Sequence, residues 1–160
     1  MLYKGQLEKL TNEKLFELRI ALDKEMVSRG LKFSVGEIGE TMAINYFNST
    51  AGFPNLMAAP TGAKNVDALS RDGDRYSIKA VQKAKKTGTI YPDSKNKDKQ
   101  LFEYLLVVQL DEKYELLSLH RFSWKQFQKV KAWDKRMNAW YIPVSKSRLD
   151  AGELVFKRKK

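Results

Sequence analysis

The stretch Lys64-Asn-Val-Asp67-Ala-Leu-Ser70-Arg-Asp-Gly73-Asp-Arg75-Tyr-Ser77-Ile-Lys79-Ala-Val81 decides how the fold is read. Two runs of strand-like composition, 66–70 and 75–81, flank the pair Asp72-Gly73. Asp-Gly between two such runs is the strongest short-range hairpin signal. Strand alternation puts Ser77 and Lys79 on one face. Whether Asp67 shares that face depends on the loop. A two-residue turn pairs residues whose numbers sum to 145, and Asp67 then opposes Ile78 and points away from Lys79. A three-residue loop, Arg71 to Gly73 with Gly73 left-handed, lowers the sum to 144 and sets Asp67 opposite Ser77, on the face of Lys79. A chemical site here requires the odd-length loop or a bulge.

Working upstream, Ser34 opens an expected helix over Val35 to Asn48. Gly36 and Gly39 lie inside it, at about 1 kcal/mol each relative to Ala, which suggests that this face approaches another backbone or a ligand. Between that helix and the hairpin, Gly52 to Pro60 reads as either a strand or a loop. Further upstream, Thr11 can cap a helix with Glu13 in its first turn, and Leu15, Leu18, Leu22 and Met26 form an apolar stripe that ends at Gly30. Packing is its expected role.

Downstream, residues 83 to 100 are polar and basic and are broken by Gly88 and Pro92, as in a long loop that is functional or disordered. Phe102 to Leu110 is a continuous apolar run, as expected of a buried central strand. A turn at Asp111-Glu-Lys113 leads to a further strand, Tyr114 to Leu119. Ser123 then caps a helix bearing Trp124, Phe127 and Val130. Trp133 to Val144 fits no single element. Lys157 to Lys160 reads as a frayed basic tail. The expected architecture is α/β, a mixed β-sheet flanked by helices in a single domain: an N-terminal helical extension over 1–33, a core over 34–130, and a C-terminal segment over 131–160.

The chain has 160 residues, of which 42% are hydrophobic and 11% aromatic, enough for an ordinary core. It has no Cys, which excludes disulfides, thiolate metal sites and Cys nucleophiles. No apolar run is long enough to span a bilayer, and the first residues lack a signal-peptide stretch, so a cytoplasmic protein without membrane partners is expected. The 30 Lys and Arg against 19 Asp and Glu leave a net charge of +11, which favours a polyanionic partner such as nucleic acid.

Phosphodiester hydrolysis needs carboxylates to hold a divalent cation and a way to activate water. A nearby lysine stabilises developing charge. The hairpin supplies Asp67 and Lys79, and the helix supplies Glu37 and Glu40 on one face. A helical glutamate, a strand Asp, then an acidic-X-Lys element on the next strand resembles the core of the PD-(D/E)XK, or restriction-endonuclease-like, nucleases. The pieces Gly36-Glu-Ile-Gly-Glu40, Lys64 to Ser70, Arg75 to Lys79 and Trp133 to Trp140 are similar to an uncharacterised bacterial group of that superfamily. The resemblance implies a restriction-endonuclease-like core and a DNA endonuclease of restriction, repair or mobile-element type, using Mg²⁺ or Mn²⁺. It implies Asp67 as the metal-binding aspartate and Lys79 as the catalytic lysine. Glu40, then Glu37, would be the helical ligand, and the Ile78 carbonyl a further ligand. Many such nucleases cut both strands as homodimers, but no stretch here marks a dimer face.

The sequence departs from that pattern at Ser77, which stands where an acidic residue is usual. Three consequences are open: Glu37 or Glu40 compensates, Ser77 holds metal through a water, or catalysis is lost. Gln82 and Lys83, Lys85, Lys86, Lys95, Lys97 and Lys99 are the candidate nucleic-acid contacts, though the lysines can equally serve to keep a loop solvated. Lys125, Lys129, Lys131, Lys135 and Arg136 offer a second basic surface, and the nearby tryptophans fit a core better than a base-stacking platform. His120, the sole histidine, reads as structural. The rival readings are a catalytically inactive DNA-binding module and a basic RNA- or protein-interaction domain in which Asp67 and Lys79 merely pair.

Overall fold

In the computed structural model, which describes residues 3–159, the hairpin closes through the three-residue loop Arg71-Asp72-Gly73. Ser70 N–H donates to Asp74 O at 3.0 Å, Gly73 N–H donates to Ser70 O at 3.0 Å, and Gly73 takes the left-handed φ of +87°. Strands β2 (Ala68–Ser70) and β3 (Arg75–Val81) pair antiparallel with Ala68 opposite Tyr76 and Leu69 opposite Arg75, the register that sums to 144. The first strand is shorter than the run 66–70, and Asp67 sits immediately ahead of it.

Helix α3 (Val35–Ser49) precedes β1 (Leu56–Ala58), so Gly52 to Pro60 does contain a strand. After β3 come β4 (Tyr104–Leu110) and β5 (Leu116–Ser123), then α4 (Trp124–Val130). A small hairpin of β6 (Ala132–Asp134) and β7 (Ala139–Tyr141) follows, then the short α5 (Lys146–Leu149) and β8 (Glu153–Lys157). The main sheet has six strands in the order β1-β2-β3-β4-β5-β8. Only β3 and β4 are parallel, and they are joined through residues 82–103 without a helix. The first half of the expected frayed tail is ordered: Lys157 ends β8, which pairs with β5, and Arg158 N–H donates to Leu117 O at 2.9 Å, while Lys160 lies outside the described residues.

The apolar run around β4 is continuous because both its faces are covered. Leu106, Val108 and Leu110 join Tyr76, Ile78, Ala43 and Phe47 in one cluster, on the side of α3. Leu105 and Val107 join Phe102, Phe122, Phe127 and Ile142 in the other, on the side of α4 and α5. Helix α3 buries Gly39, Ala43 and Phe47, a stripe spaced by four. A Cβ built on Gly39 would collide with the Cβ of Ala80, so this glycine lets helix and strand come together. Gly36 is exposed and has no such role. Ser123 accepts from Gln126 N–H at 3.2 Å in a capping box that starts α4.

The chain divides into two compact units at Ser34. In the first, α1 (Lys4–Leu7) leads to α2 (Asn12–Ser28), which is capped by Thr11 and ends before Gly30 at φ +66°. Of the stripe Leu15, Leu18, Leu22 and Met26, for which packing is expected, Met26 is half-buried and the three leucines are exposed, and no residue of α2 is fully buried. The pairs Lys14–Glu17, Arg19–Asp23 and Arg29–Glu25 brace the helix, each contributing a few tenths of a kcal/mol. Among the described residues no helix is long and apolar enough to cross a membrane.

Candidate active site

Ahead of Ala68 the backbone leaves the regular ladder. Asp67 N–H donates to Tyr76 O at 2.8 Å, while Asp67 O turns to accept Ala59 N–H at 2.8 Å. Past Tyr76, β3 therefore has β4 on one side and no strand on the other. Ile78 N–H falls on that open edge, and the Asp67 carboxylate takes the place of a strand partner: its Oδ2 accepts Ile78 N–H at 2.6 Å. By strand alternation the Ile78 carbonyl faces the same edge. A charge-assisted bond this short fixes the Asp67 rotamer.

Ser77 is 1% exposed, and its hydroxyl lies 3.5 Å from the same Oδ2, at the long limit of a hydrogen bond. The serine thus stands behind Asp67. Asp67 Oδ1 has no hydrogen bond among the described residues, which leaves one oxygen for another partner. The alternation that buries Tyr76 and Ile78 under α3 puts Ser77 and Lys79 on the opposite face. Residues 82–103 pass over Lys79, and a Cβ on Gly88 would sit 3.9 Å from Lys79 Cδ.

Gly39 is seated closely on Ala80, and the next helical residue, Glu40, is half-buried. Its carboxyl is held above the ordinary value of 4.5, first by burial, then by the negative charges of Asp67 and Glu37, with the Lys79 ammonium opposing. Glu37, Glu40, Asp67 and Lys79 thus share one electrostatic neighbourhood. Asn48, at the other end of α3, clasps β1: its side chain accepts Leu56 N–H at 2.7 Å and donates to Leu56 O at 3.0 Å. That clasp positions the strand leading to Ala59, which holds the Asp67 carbonyl. An Asn at a helix end was the only sequence signal for it.

Among the described residues no three His, Cys, Asp or Glu side chains form a metal-binding group. The available donors are the carboxylates of Asp67 and Glu40 and the Ile78 carbonyl, with Glu37 alongside. Hard oxygens in that number suit Mg²⁺, which is held by one or two carboxylates and keeps several waters.

The proposed nucleic-acid contacts are less uniform. Residues 82–103 are laced to the β6–β7 region. Thr87 N–H donates to Ile142 O at 3.0 Å, and Ile90 and Trp140 exchange backbone bonds at 2.7 and 2.9 Å. The stretch is thus an ordered strap whose Ile90 belongs to the core. Lys83 pairs with Glu112, Lys86 with Asp134 and Lys99 with Asp93, at 3.0, 3.0 and 3.3 Å. Lys97 lies over the Trp133 ring, and Lys85 and Lys95 are exposed without an ion pair among the described residues. Gln82 turns away, its amide donating to Asp111 O at 2.8 Å in the β4–β5 turn. A comparison with family models finds no match to this chain, and a comparison with curated proteins finds no relative.

Proposed function

We propose that the protein hydrolyses DNA phosphodiester bonds with the help of a divalent cation, as a restriction-endonuclease-like nuclease. The observation that carries this reading is the Asp67 carboxylate seated on Ile78 N–H at the open edge of β3, with the charges of Glu40 and Lys79 within electrostatic reach. Asp67, Glu40 and the Ile78 carbonyl would hold Mg²⁺ or Mn²⁺, and the cation would supply a polarised water and charge neutralisation at the phosphate. Asp67 is held in place by Ile78 N–H and presents its remaining oxygen. Lys79 brings a positive charge to the edge where a scissile phosphate would gather negative charge. Lys85 and Lys95, not engaged in ion pairs, would attract the flanking backbone. A restriction, repair or mobile-element setting suits this chemistry.

Ser77 favours a second reading, a DNA-binding module without catalysis, because a neutral hydroxyl stands where the resemblance calls for a carboxylate. Cleavage of supercoiled, linear, single-stranded and branched DNA, with Mg²⁺ or Mn²⁺ against EDTA, separates the two. Metal-dependent cutting abolished by both Asp67→Ala and Lys79→Ala is expected. No cutting of any substrate, with salt-sensitive DNA binding unchanged in both variants, would establish the silent module.

A further inference from the structure

A concavity of about 600 Å³ opens beside β5, within the range of small-molecule sites. Its floor is polar: Gln109 of β4 with Ser118 and His120 of β5. Ser118 Oγ donates to Gln109 Oε1 at 2.5 Å, which leaves the Gln109 amide nitrogen free to donate. His120 is 7% exposed, and its Nδ1 is buried with no hydrogen-bond partner. Buried polar atoms are seldom left this way. Leu149 and Leu154 form apolar walls.

The rim is basic, but its cations are not equivalent. Arg158 is committed to Asp111 and Glu115, at 2.8 and 3.3 Å, and Lys146 to Asp150 at 2.6 Å. Lys157, the last residue of β8, and Lys159, two residues beyond it, make no ion pair within 4 Å among the described residues, although Lys157 lies within electrostatic reach of Asp150. A small anion alone would leave the leucine walls wet. A purely apolar ligand would bury the Gln109 amide nitrogen without a partner, which is costly. The occupant that satisfies walls, floor and rim together has a flat body with a hydrogen-bonding edge and a pendant anion.

We propose that this cleft binds a nucleoside phosphate, with the base between Leu149 and Leu154 and against Gln109 and His120, and the phosphate at Lys157 and Lys159. The unit is either a free nucleotide or an unstacked residue at the end of a strand. The proposal does not rest on cleavage at Asp67.

His120 is the only histidine, so its imidazole resonances report on the floor directly. The test titrates ¹⁵N-labelled full-length protein with each 5′-mononucleotide, with a 5′-phosphorylated single-stranded tetranucleotide, and with inorganic phosphate. Saturable movement of the His120 signals is expected with at least one mononucleotide or with the tetranucleotide, and none with phosphate. Tighter binding of the tetranucleotide assigns the cleft to a strand end, and tighter binding of the mononucleotide to a free nucleotide. Lys157→Glu should weaken binding at least tenfold. Leu154→Trp, a change at a half-exposed position that fills the cleft, should abolish it while the amide spectrum stays folded. Asp67→Asn, expected to be silent in cleavage, should bind as wild type does. His120 signals unmoved by every nucleotide at millimolar concentration, or moved equally in folded Leu154→Trp, would overturn the proposal.

Discussion

Asp67 holds its place through backbone groups: its own N–H on Tyr76, its carbonyl on Ala59 and its carboxylate on Ile78 N–H. Glu40 is the member of the site that bears strain, because its half-buried carboxyl must ionise beside Asp67 and Glu37. The linkage has a definite sign. Below pH 4.5 the carboxyl is protonated whether the chain is folded or not, and no penalty exists. As pH rises from 4.5 through the raised folded value, the unfolded chain loses its proton first, so stability falls and stays lowered at neutral pH. Glu40→Gln should therefore raise Tm at pH 7.5 in EDTA, by about one to two degrees given partial solvent screening, and the gain should vanish near pH 4. If Glu40 holds Mg²⁺ as proposed, the wild type should gain Tm in Mg²⁺ and the variant should gain much less. Thermal scans at the two pH values, with and without Mg²⁺, check both halves. A variant stabilised by Mg²⁺ as strongly as wild type would remove Glu40 from the ligand set.

Two glycines of α3 look alike in sequence but differ in what surrounds them. Gly36 is exposed, and Gly39 is pressed on Ala80. Alanine is the better helix former by about 1 kcal/mol, so propensity alone favours both substitutions. At Gly36, in the first turn, Gly36→Ala should stabilise by a few tenths of a kcal/mol. At Gly39 the new methyl overpacks a closed interface, a loss of about 1–3 kcal/mol that outweighs the gain. Urea denaturation of Gly39→Ala should show that loss, and adding Ala80→Gly should restore most of it; no restoration would mean that the helix is seated elsewhere. The same contrast shows what the sequence made legible. The hairpin register could be narrowed to two choices, because only a left-handed Gly73 makes the odd loop, and β4 could be read because a strand buried on both faces is apolar throughout. The β6–β7 hairpin could not, since its strands are three residues long and its turn uses Asn138 at φ +48° rather than glycine. Nor could β8, because a sheet-edge strand with exposed Glu153, Leu154 and Lys157 has no clean alternation. At the candidate site, the hairpin spacing makes the placement of Asp67 opposite Ser77 readable once the odd loop is chosen. The strap over Lys79 and the Asn48 clasp depend on long-range packing that no local pattern encodes.

At the scale of the whole chain, charge is unevenly shared. Residues 35–160 hold 23 Lys and Arg against 14 Asp and Glu, so nine of the eleven excess positive charges lie with the sheet. Such a surplus favours a polyanionic partner, and each phosphate contact with one would release condensed counterions. What a given lysine adds depends on whether the fold already neutralises it. Lys86 is held by Asp134, whose own carboxyl is kept below its ordinary range first by that lysine. Lys85, its neighbour, has no ion pair among the described residues. If the strap lies along DNA, log K against log salt should be steep for wild type. Lys85→Ala should flatten it by close to 0.9, the value of one phosphate contact. Lys86→Ala should flatten it less, since the lysine must leave Asp134 to reach a phosphate. Fluorescence anisotropy with a labelled duplex, in EDTA to prevent cutting, measures both slopes. Equal flattening would mean that the Lys86–Asp134 pair opens on binding. Unchanged slopes in both variants would take the strap off the DNA and leave the basic surface around Lys125, Lys129 and Arg136 as the one to test.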